Sequence, residues 1–250
     1  MAVFLALVRR ELGVAFNSLT GYVVVAVVLL LSGCSLVDIV TKLNGGREAG
    51  PVVGLFYRSL YFWLILLPLP AVITMRSFAA ERSSGTYESL MTTPVGDWQV
   101  VLSKYAGAML FYALAWLPLL AVLAVLRQVT HQEAFLELRA TVGAYLGIGL
   151  IGSTFIAMGC FASSLTRSQL VACMLSFLMT IGLWVIGLGP AISEGADATA
   201  SRLLTHVSVL RHMDDFAAGI LDSRHIVFHV TGTLLFLFFT VRVVEGRRWK

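Results

Sequence analysis

The sequence predicts an all-α membrane protein: six transmembrane helices, an N-terminal interfacial helix, and a short cytoplasmic coupling helix between transmembrane helices two and three. Composition is the first observation behind this prediction. Of the 250 residues, 58% are hydrophobic and 13% are charged, and the mean hydropathy is +0.86. A soluble domain typically carries about 25% charged residues, and a fold of this size in water must cover its surface with polar groups. Lipid is therefore the expected solvent for much of the chain.

Six long apolar runs are the second observation, because a transmembrane helix needs about 20 mostly apolar residues. In lipid the backbone polar groups must be satisfied within the segment, so a helix is the expected form of each run. The second run is short and is broken by Pro68 and Pro70. The predicted spans are residues 21–40, 60–75, 101–126, 140–165, 170–190 and 226–244. An even number of spans places both chain ends on the same side, and residues 1–250 are expected to form one transmembrane domain.

Residues 1–20 precede the first span and combine apolar and charged positions. Val3, Leu7 and Val14 flank the charged run 9–11, a pattern typical of a helix that lies in the membrane interface. An early extension of the first transmembrane helix is the alternative. Because the apolar start is short and charges follow it, we expect no cleavable signal peptide.

The basic residues favour chain ends on the cytoplasmic side. Arg9 and Arg10 lie near the start, and Arg247, Arg248 and Lys250 lie at the end. Lys and Arg concentrate on the cytoplasmic side of membrane proteins. The net charge of +4 is therefore assigned to membrane orientation and not to nucleic-acid binding. The histidines then fall at or beyond the outer interface.

Several kinds of catalytic chemistry have no motif in the sequence. It contains neither G-x-x-x-x-G-K-[ST] nor H-E-x-x-H nor G-x-S-x-G. Intramembrane acids mark proton or ion paths, and Asp38 is the one candidate, near the outer end of the first span. Cys34, Cys160 and Cys173 are interpreted as buried small apolar residues. If the protein moves a substrate against a gradient, the energy is expected to come from another chain.

The inner loop, residues 76–100, carries the most information. Residues 76–82 favour a helix, and Ser83, Ser84 and Gly85 weaken it. A second short helix is predicted over 86–93, with Glu88 in its first turn, where the helix dipole favours an acid. Pro94 ends that helix before the third span begins. A short helix that projects below the membrane is suited to docking a cytoplasmic partner.

Residues 81–90 read ERSSGTYESL and are followed by Pro94 and by Asp97-Trp98. This block resembles the ABC-2 family of ABC transporter permeases. Arg10-Glu11-Leu12 is similar to the start of that family, and Phe216, Gly219, Leu221 and Asp222 ahead of the last span are similar as well. The stretches 21–24 and 74–79 resemble most closely the gliding-motility-associated branch.

The resemblance implies a permease subunit of an ATP-driven exporter, in a bacterial cytoplasmic membrane, with no ATPase site and no cofactor of its own. ATP and Mg would be bound by two ABC ATPase subunits below it. A second permease subunit would complete the path, either another copy or a protein with an extracytoplasmic domain. The residues implied to couple the chain to the ATPase are Glu81, Arg82, Gly85, Thr86, Glu88, Leu90, Met91 and Pro94. Glu81 and Glu88 are expected to pair with the ATPase or with the N-terminal helix, the alternative being solvated charge at the membrane surface. Arg82 is expected to pair with Glu81 or Glu88, or to face lipid phosphate.

Other features leave alternatives open. Gly143 and Gly147 form a small-xxx-small pattern, for packing within the subunit or for a dimer seam. The extracytoplasmic segment 191–225 is expected to form short amphipathic helices. His225 and His229 are spaced for one helix face, but two histidines are half a metal site, and no metal is assigned. Two other functions are a non-transporting scaffold of an envelope or motility assembly, and a membrane enzyme. The enzyme would use the outward histidines His206, His212, His225 and His229.

Overall fold

The computed structural model describes residues 2–44, 52–85, 96–130, 138–189 and 204–248. Every regular element in that part of the chain is a helix. The helices are α1 (Ala2–Phe16), α2 (Leu19–Asn44), α3 (Val52–Arg58), α4 (Leu60–Leu66), α5 (Pro68–Thr74), α6 (Ala79–Ser83), α7 (Asp97–Thr130), α8 (Leu138–Leu165), α9 (Gln169–Gly187), α10 (Val209–Ala217) and α11 (Ser223–Arg248). The all-α prediction is confirmed.

Six helical stretches in the described residues are long and apolar enough to cross a membrane, as the sequence predicts. They are Leu19–Lys42, Leu60–Ser83, Asp97–Ala121, Arg139–Leu165, Gln169–Gly187 and Ser223–Gly246. The second differs from its predicted bounds, since it continues past Met75 to Ser83 and consists of α4, α5 and α6. The break between α4 and α5 falls at Leu67, and Pro68 begins α5, where the missing amide proton of proline costs no helical hydrogen bond. Pro118 lies inside α7.

Serine side chains begin several helices. Ser18 separates α1 from α2, because its hydroxyl oxygen accepts the Gly21 amide proton at 3.1 Å. Ser59 accepts from the Phe62 amide at the start of α4, and Ser208 accepts from Arg211 at the start of α10. Each bond satisfies an amide that the first turn of a helix leaves unpaired. The N-terminal segment is therefore a separate helix and not an extension of the first span.

α8 forms the centre of the bundle, packed against α5, α7, α9, α10 and α11. Tyr112 of α7 is buried against it and donates its hydroxyl proton to the Ile148 carbonyl at 3.1 Å. The Tyr112 ring occupies the space that a side chain at Gly152 would need. Trp116 stacks at an angle on Tyr112, with ring centroids 6.1 Å apart. The core therefore holds large aromatic rings of α7 against small residues of α8.

α2, α9 and α11 lie at the edge of the bundle, with apolar side chains facing outward, as lipid-facing helices do. Cys34 is exposed on α2 and Cys173 of α9 is partly exposed, so the interpretation of all three cysteines as buried holds for Cys160 and is wrong for Cys34. Asp38, the acid predicted near the end of this span, forms an i,i+4 ion pair with Lys42 at 3.0 Å.

The two ends of the bundle differ in their polar groups. At one end, called here the α1 end, α1 packs against the first half of α7, and Phe16 meets Phe111 edge to face with centroids 5.3 Å apart. α6 and the turn between α8 and α9 lie at the same end. At the other, called the α10 end, the amphipathic helix α10 packs on α8 through buried Val209, Met213 and Phe216. α10 is one of the short amphipathic helices predicted over 191–225; residues 190–203 lie outside the described part of the chain.

Candidate functional site

The residues predicted to couple this chain to a partner lie partly in the described structure. Glu81 and Arg82 belong to α6, and Gly85 follows that helix with a φ of 75°. This left-handed conformation is one that glycine adopts without a Cβ clash, and it ends the helix. Thr86, Glu88, Leu90, Met91 and Pro94 lie outside the described residues.

Four charged side chains meet at the α1 end, and we call this group the ionic junction: Arg10, Glu11, Glu81 and Lys104. The Lys104 ammonium lies 3.0 Å from Glu11 Oε1 and 2.8 Å from Glu81 Oε1. Arg10 reaches the same Glu81 oxygen at 2.6 Å. The N-terminal helix is one of the two partners that the sequence suggested for Glu81. The junction therefore ties α1, α6 and α7 together.

Burial makes the central cation of the ionic junction dependent on its partners. The Lys104 side chain is 3% exposed, and a buried charge is tolerated when it is paired and hydrogen-bonded. Its ammonium also lies 5.4 Å from the centre of the Phe78 ring, where the ring face attracts a cation. Gly107 lets α1 approach, since a Cβ there would lie 2.8 Å from the Glu11 Cβ. Two acids and a small residue thus hold Lys104 in an otherwise apolar span.

α6 is also anchored to the centre of the bundle. The buried Ser163 hydroxyl of α8 accepts the amide protons of Phe78 and Ala79, each at 3.1 Å. Arg82 donates to the carbonyl oxygens of Ser164 at 2.7 Å and Thr166 at 3.2 Å. Arg82 is therefore engaged with the end of α8 and the turn that follows it, rather than with an acid of its own loop among the described residues. Helix ends carry unpaired carbonyls that such a side chain satisfies.

The sequence patterns assign no role to Lys104, the buried partner of Glu81, or to Ser163, which anchors α6. The signal for Lys104 was available: an ionisable residue in an apolar span is costly and requires a counter-charge. The signal for Ser163 was not, because a serine in a helix does not indicate which backbone amides it will meet.

Gly143 and Gly147 of α8 face α10 of the same chain. A Cβ at Gly143 would collide with the Phe216 carbonyl oxygen and lie 3.3 Å from the Gly219 Cα. A Cβ at Gly147 would lie 2.8 Å from the Phe216 ring. These two glycines thus provide the surface against which α10 packs. Packing within the subunit therefore accounts for their spacing.

A second polar group, the histidine cluster, lies at the α10 end and consists of His212, His225 and His229 with Thr154 and Asp215. His212 and His229 are fully buried, and His212 Nδ1 lies 3.2 Å from His229 Nε2. His225 stacks on His212, with ring centroids 4.1 Å apart, and its Nε2–H donates to Asp215 at 2.8 Å. His229 Nδ1 lies 3.1 Å from the Thr154 hydroxyl.

The hydrogen bonds of His212 and His229 fit neutral rings. The Thr154 hydroxyl donates its proton to the His229 carbonyl at 3.1 Å, so its oxygen accepts from His229 Nδ1–H. His229 Nε2 then accepts from His212 Nδ1–H. Within the described ranges, no three His, Cys, Asp or Glu side chains are arranged to hold one metal ion. The rings bind one another and α8 instead.

This geometry gives a prediction about pH. Burial, and then the neighbouring His225, lowers the pKa of His212 from its usual 6.5 to about 4. Between these values the unfolded chain takes up a proton at this position and the folded chain does not, so stability falls as the pH is lowered through that window. We expect the apparent melting temperature of the detergent-purified protein to drop between pH 7 and pH 5.

The variant His212→Gln is expected to flatten this pH dependence. His206→Gln is the control, since the His206 side chain is exposed and lies just before α10, and the substitution keeps the backbone group that interacts with His212. An unchanged slope in His212→Gln, with the control also unchanged, would show that another group takes up the proton.

A family profile described as ABC-2 family transporter protein matches residues 51–209. The matched region is more than half of the chain and runs from α3 to the start of α10. A search of curated protein sequences gives no match. The matched region contains Glu81, Arg82, Lys104 and Ser163, with four of the six spans. This multi-pass membrane protein therefore belongs to the ABC-2 family of transporter proteins.

Proposed function

We propose that this chain is the permease subunit of an ATP-driven exporter, coupled to two separate ATPase subunits that bind ATP and Mg. A second permease subunit would complete the transport path. It would be another copy of this chain or, as in the gliding-motility-associated branch that the sequence resembles, a protein with an extracytoplasmic domain. The α1 end would face the cytoplasm of a bacterial cell, in agreement with the basic residues near both chain ends.

The ionic junction is the observation that supports this proposal. Glu81 precedes the segment proposed to dock on the ATPase, and Lys104 follows it, near the start of the third span. Their 2.8 Å ion pair closes the two ends of that segment. A force applied to the segment is therefore delivered to one point, where α1, α6 and α7 are held together.

The route beyond that point runs through α8. Ser163 binds the backbone at the start of α6, and Arg82 binds the carbonyls at the end of α8. A displacement of α6 thus pulls on the central helix of the bundle, which packs against most of the other spans. We propose that closure of the ATPase subunits moves α6 and α8 together and thereby opens the path on the opposite side. ATP supplies the energy on the partner subunits, and the residues of this chain transmit it.

The test has to separate coupling from folding. Charge reversal at Glu81 would also break the ionic junction, so Glu88 is the better position. We expect a tagged protein, isolated from its native membrane in gentle detergent, to recover a soluble protein with a phosphate-binding loop, identified by mass spectrometry. Glu88→Lys is expected to reduce that recovery and the ATP turnover of the reconstituted complex. The matched control is Glu245→Lys, because Glu245 lies at the end of α11 and pairs with Arg242.

The outcome also distinguishes the proposal from a non-transporting scaffold. Recovery of an ATPase that is lost in Glu88→Lys and retained in Glu245→Lys supports the permease. Recovery of other partners without an ATPase, from a correctly folded preparation, would favour the scaffold. Both variants should show the melting temperature of the unchanged protein, which excludes a general folding defect.

A further inference from the structure

A cavity of two adjoining parts lies along α2 near the α1 end. The valine groove is lined by Val23, Val24, Val27, Val28, Leu64, Ile65, Pro68, Leu69 and Val72. The polar pocket beside it is lined by residues that include Glu11, Ser18, Thr20, Arg76, Ser77 and Lys104. Val24 and Val72 line both parts, so the two parts adjoin: one is apolar along the span, and the other carries polar side chains at its end.

The valine groove exists because short side chains face a broken helix. Valines of α2 reach less far than leucines, and the opposing wall changes direction at Leu67, between α4 and α5. Val28 and Ile65 are buried and form its floor, whereas Val23, Val27 and Leu64 are about half exposed and form its rims. The groove has a cavity volume of about 180 Å³, and every residue that lines it is apolar. It opens sideways from the bundle, where lipid chains lie.

Two cations, Arg76 and Lys104, and one carboxylate, Glu11, line the polar pocket. Its cavity volume is about 80 Å³. Lys104 is neutralised in the ionic junction by Glu11 and Glu81. Arg76, in contrast, is exposed and donates to the Thr20 hydroxyl at 3.3 Å, and no carboxylate of the described residues lies within ion-pair distance of it. Its guanidinium remains available for an anion at the mouth of the valine groove.

We propose that this cavity binds one anionic phospholipid, with an acyl chain in the valine groove and the headgroup phosphate on Arg76. An arginine presents parallel donors that fit phosphate, and Thr20 and Ser77, which carry hydroxyl groups, line the same pocket. The sideways opening admits a lipid from the surrounding bilayer. A cation at one end and an apolar groove along the span fit a molecule with both an anionic and a hydrocarbon part. The site does not depend on coupling to an ATPase.

A photoreactive lipid tests this site directly. The purified protein in detergent is given phosphatidylglycerol, or phosphatidylcholine, with a diazirine on the acyl chain, and the labelled peptides are mapped. We expect labelling within residues 23–28 and 64–72. We expect phosphatidylglycerol to label about fivefold more strongly at equal concentration, the ratio that corresponds to about 1 kcal/mol for one basic residue and an anionic lipid.

Three variants separate the two halves of the cavity. Arg76→Gln is expected to reduce labelling by phosphatidylglycerol to the level of phosphatidylcholine. Val27→Phe is expected to reduce labelling by both lipids, because the larger ring fills the groove. The matched control is Leu30→Phe, since Leu30 is 64% exposed on α2 and does not line the groove. Melting temperatures confirm that the variants remain folded.

Four outcomes would overturn the proposal. Equal labelling by the two lipids would contradict recognition of the headgroup by Arg76. Labelling outside the two segments would contradict binding of the acyl chain in the valine groove. If excess inorganic phosphate suppressed labelling as strongly as unlabelled phosphatidylglycerol does, the site would be one for phosphate ions and not for a lipid. If lipid labelling were absent and cysteines introduced within 23–28 cross-linked two copies of the chain, a second copy would be shown to cover the groove.

Discussion

Replacing Lys104 by methionine is expected to destabilise the protein by about 3–5 kcal/mol, the cost of leaving a buried charge without its partner. Methionine has a similar length, so the main change is the loss of the cation. Glu11 and Glu81 would then face each other in a buried site with Arg10 as their remaining cation among the described residues. The measurement is the loss of folded protein with temperature or denaturant in detergent, at constant pH and salt.

Two further variants identify the cause of that loss. Glu11→Gln in the Lys104→Met background is expected to restore a large part of the stability, because the remaining carboxylate of Glu81 keeps its 2.6 Å contact with Arg10. Arg242→Met is the control for removal of an exposed cation, since Arg242 is 64% exposed and pairs with Glu245. An exposed pair of this kind contributes about 1 kcal/mol or less. Equal losses in Lys104→Met and Arg242→Met would contradict the role of burial.

Alanine at Gly143 is expected to have the second large effect. Its Cβ would collide with a backbone carbonyl of α10, which cannot rotate away as a side chain does. The helices must separate, and such overpacking costs about 1–3 kcal/mol or more. We expect a clear fall in melting temperature. We also expect easier proteolysis between α10 and α11, because α10 would no longer pack closely on α8.

Gly149→Ala is the matched control in the same helix. Nothing lies within 4 Å of a Cβ at Gly149, and alanine is the better helix former by about 1 kcal/mol. This variant should therefore be as stable as the unchanged protein or more stable. If Gly143→Ala changed the oligomeric state in detergent and left the melting temperature intact, the glycine would serve a dimer seam and not the packing of α10.

The spans were predictable because membrane insertion acts on each segment by its own length and polarity. Five predicted spans agree closely with the helices, and the second differs for a local reason. Its apolar character ends near Met75, but the chain remains helical from Ala79 to Ser83. The Ser163 hydroxyl makes this extension possible by accepting the two amide protons that begin it.

The polar contacts of the site were not predictable in the same way. The sequence indicated Glu81 and Arg82 through a block of adjacent residues. The partner of Glu11, in contrast, lies 93 positions away, and no periodicity connects the two. The histidine cluster shows the same limit, since the sequence places His212 and His229 at or beyond the outer interface but does not indicate that both are fully buried. Their burial depends on how α10 packs on α8, which single-sequence patterns do not describe.

The ionic junction has a consequence for the order in which the protein is made. A ribosome synthesises Glu11 and Glu81 before Lys104, since domains emerge from the N-terminus. When the third span enters the membrane with its lysine, both acids have already been synthesised. The cost of placing a charge in the bilayer can therefore be offset during insertion. Because the two acids are synthesised before the cation, Lys104 can be buried beside them without first being exposed to lipid alone.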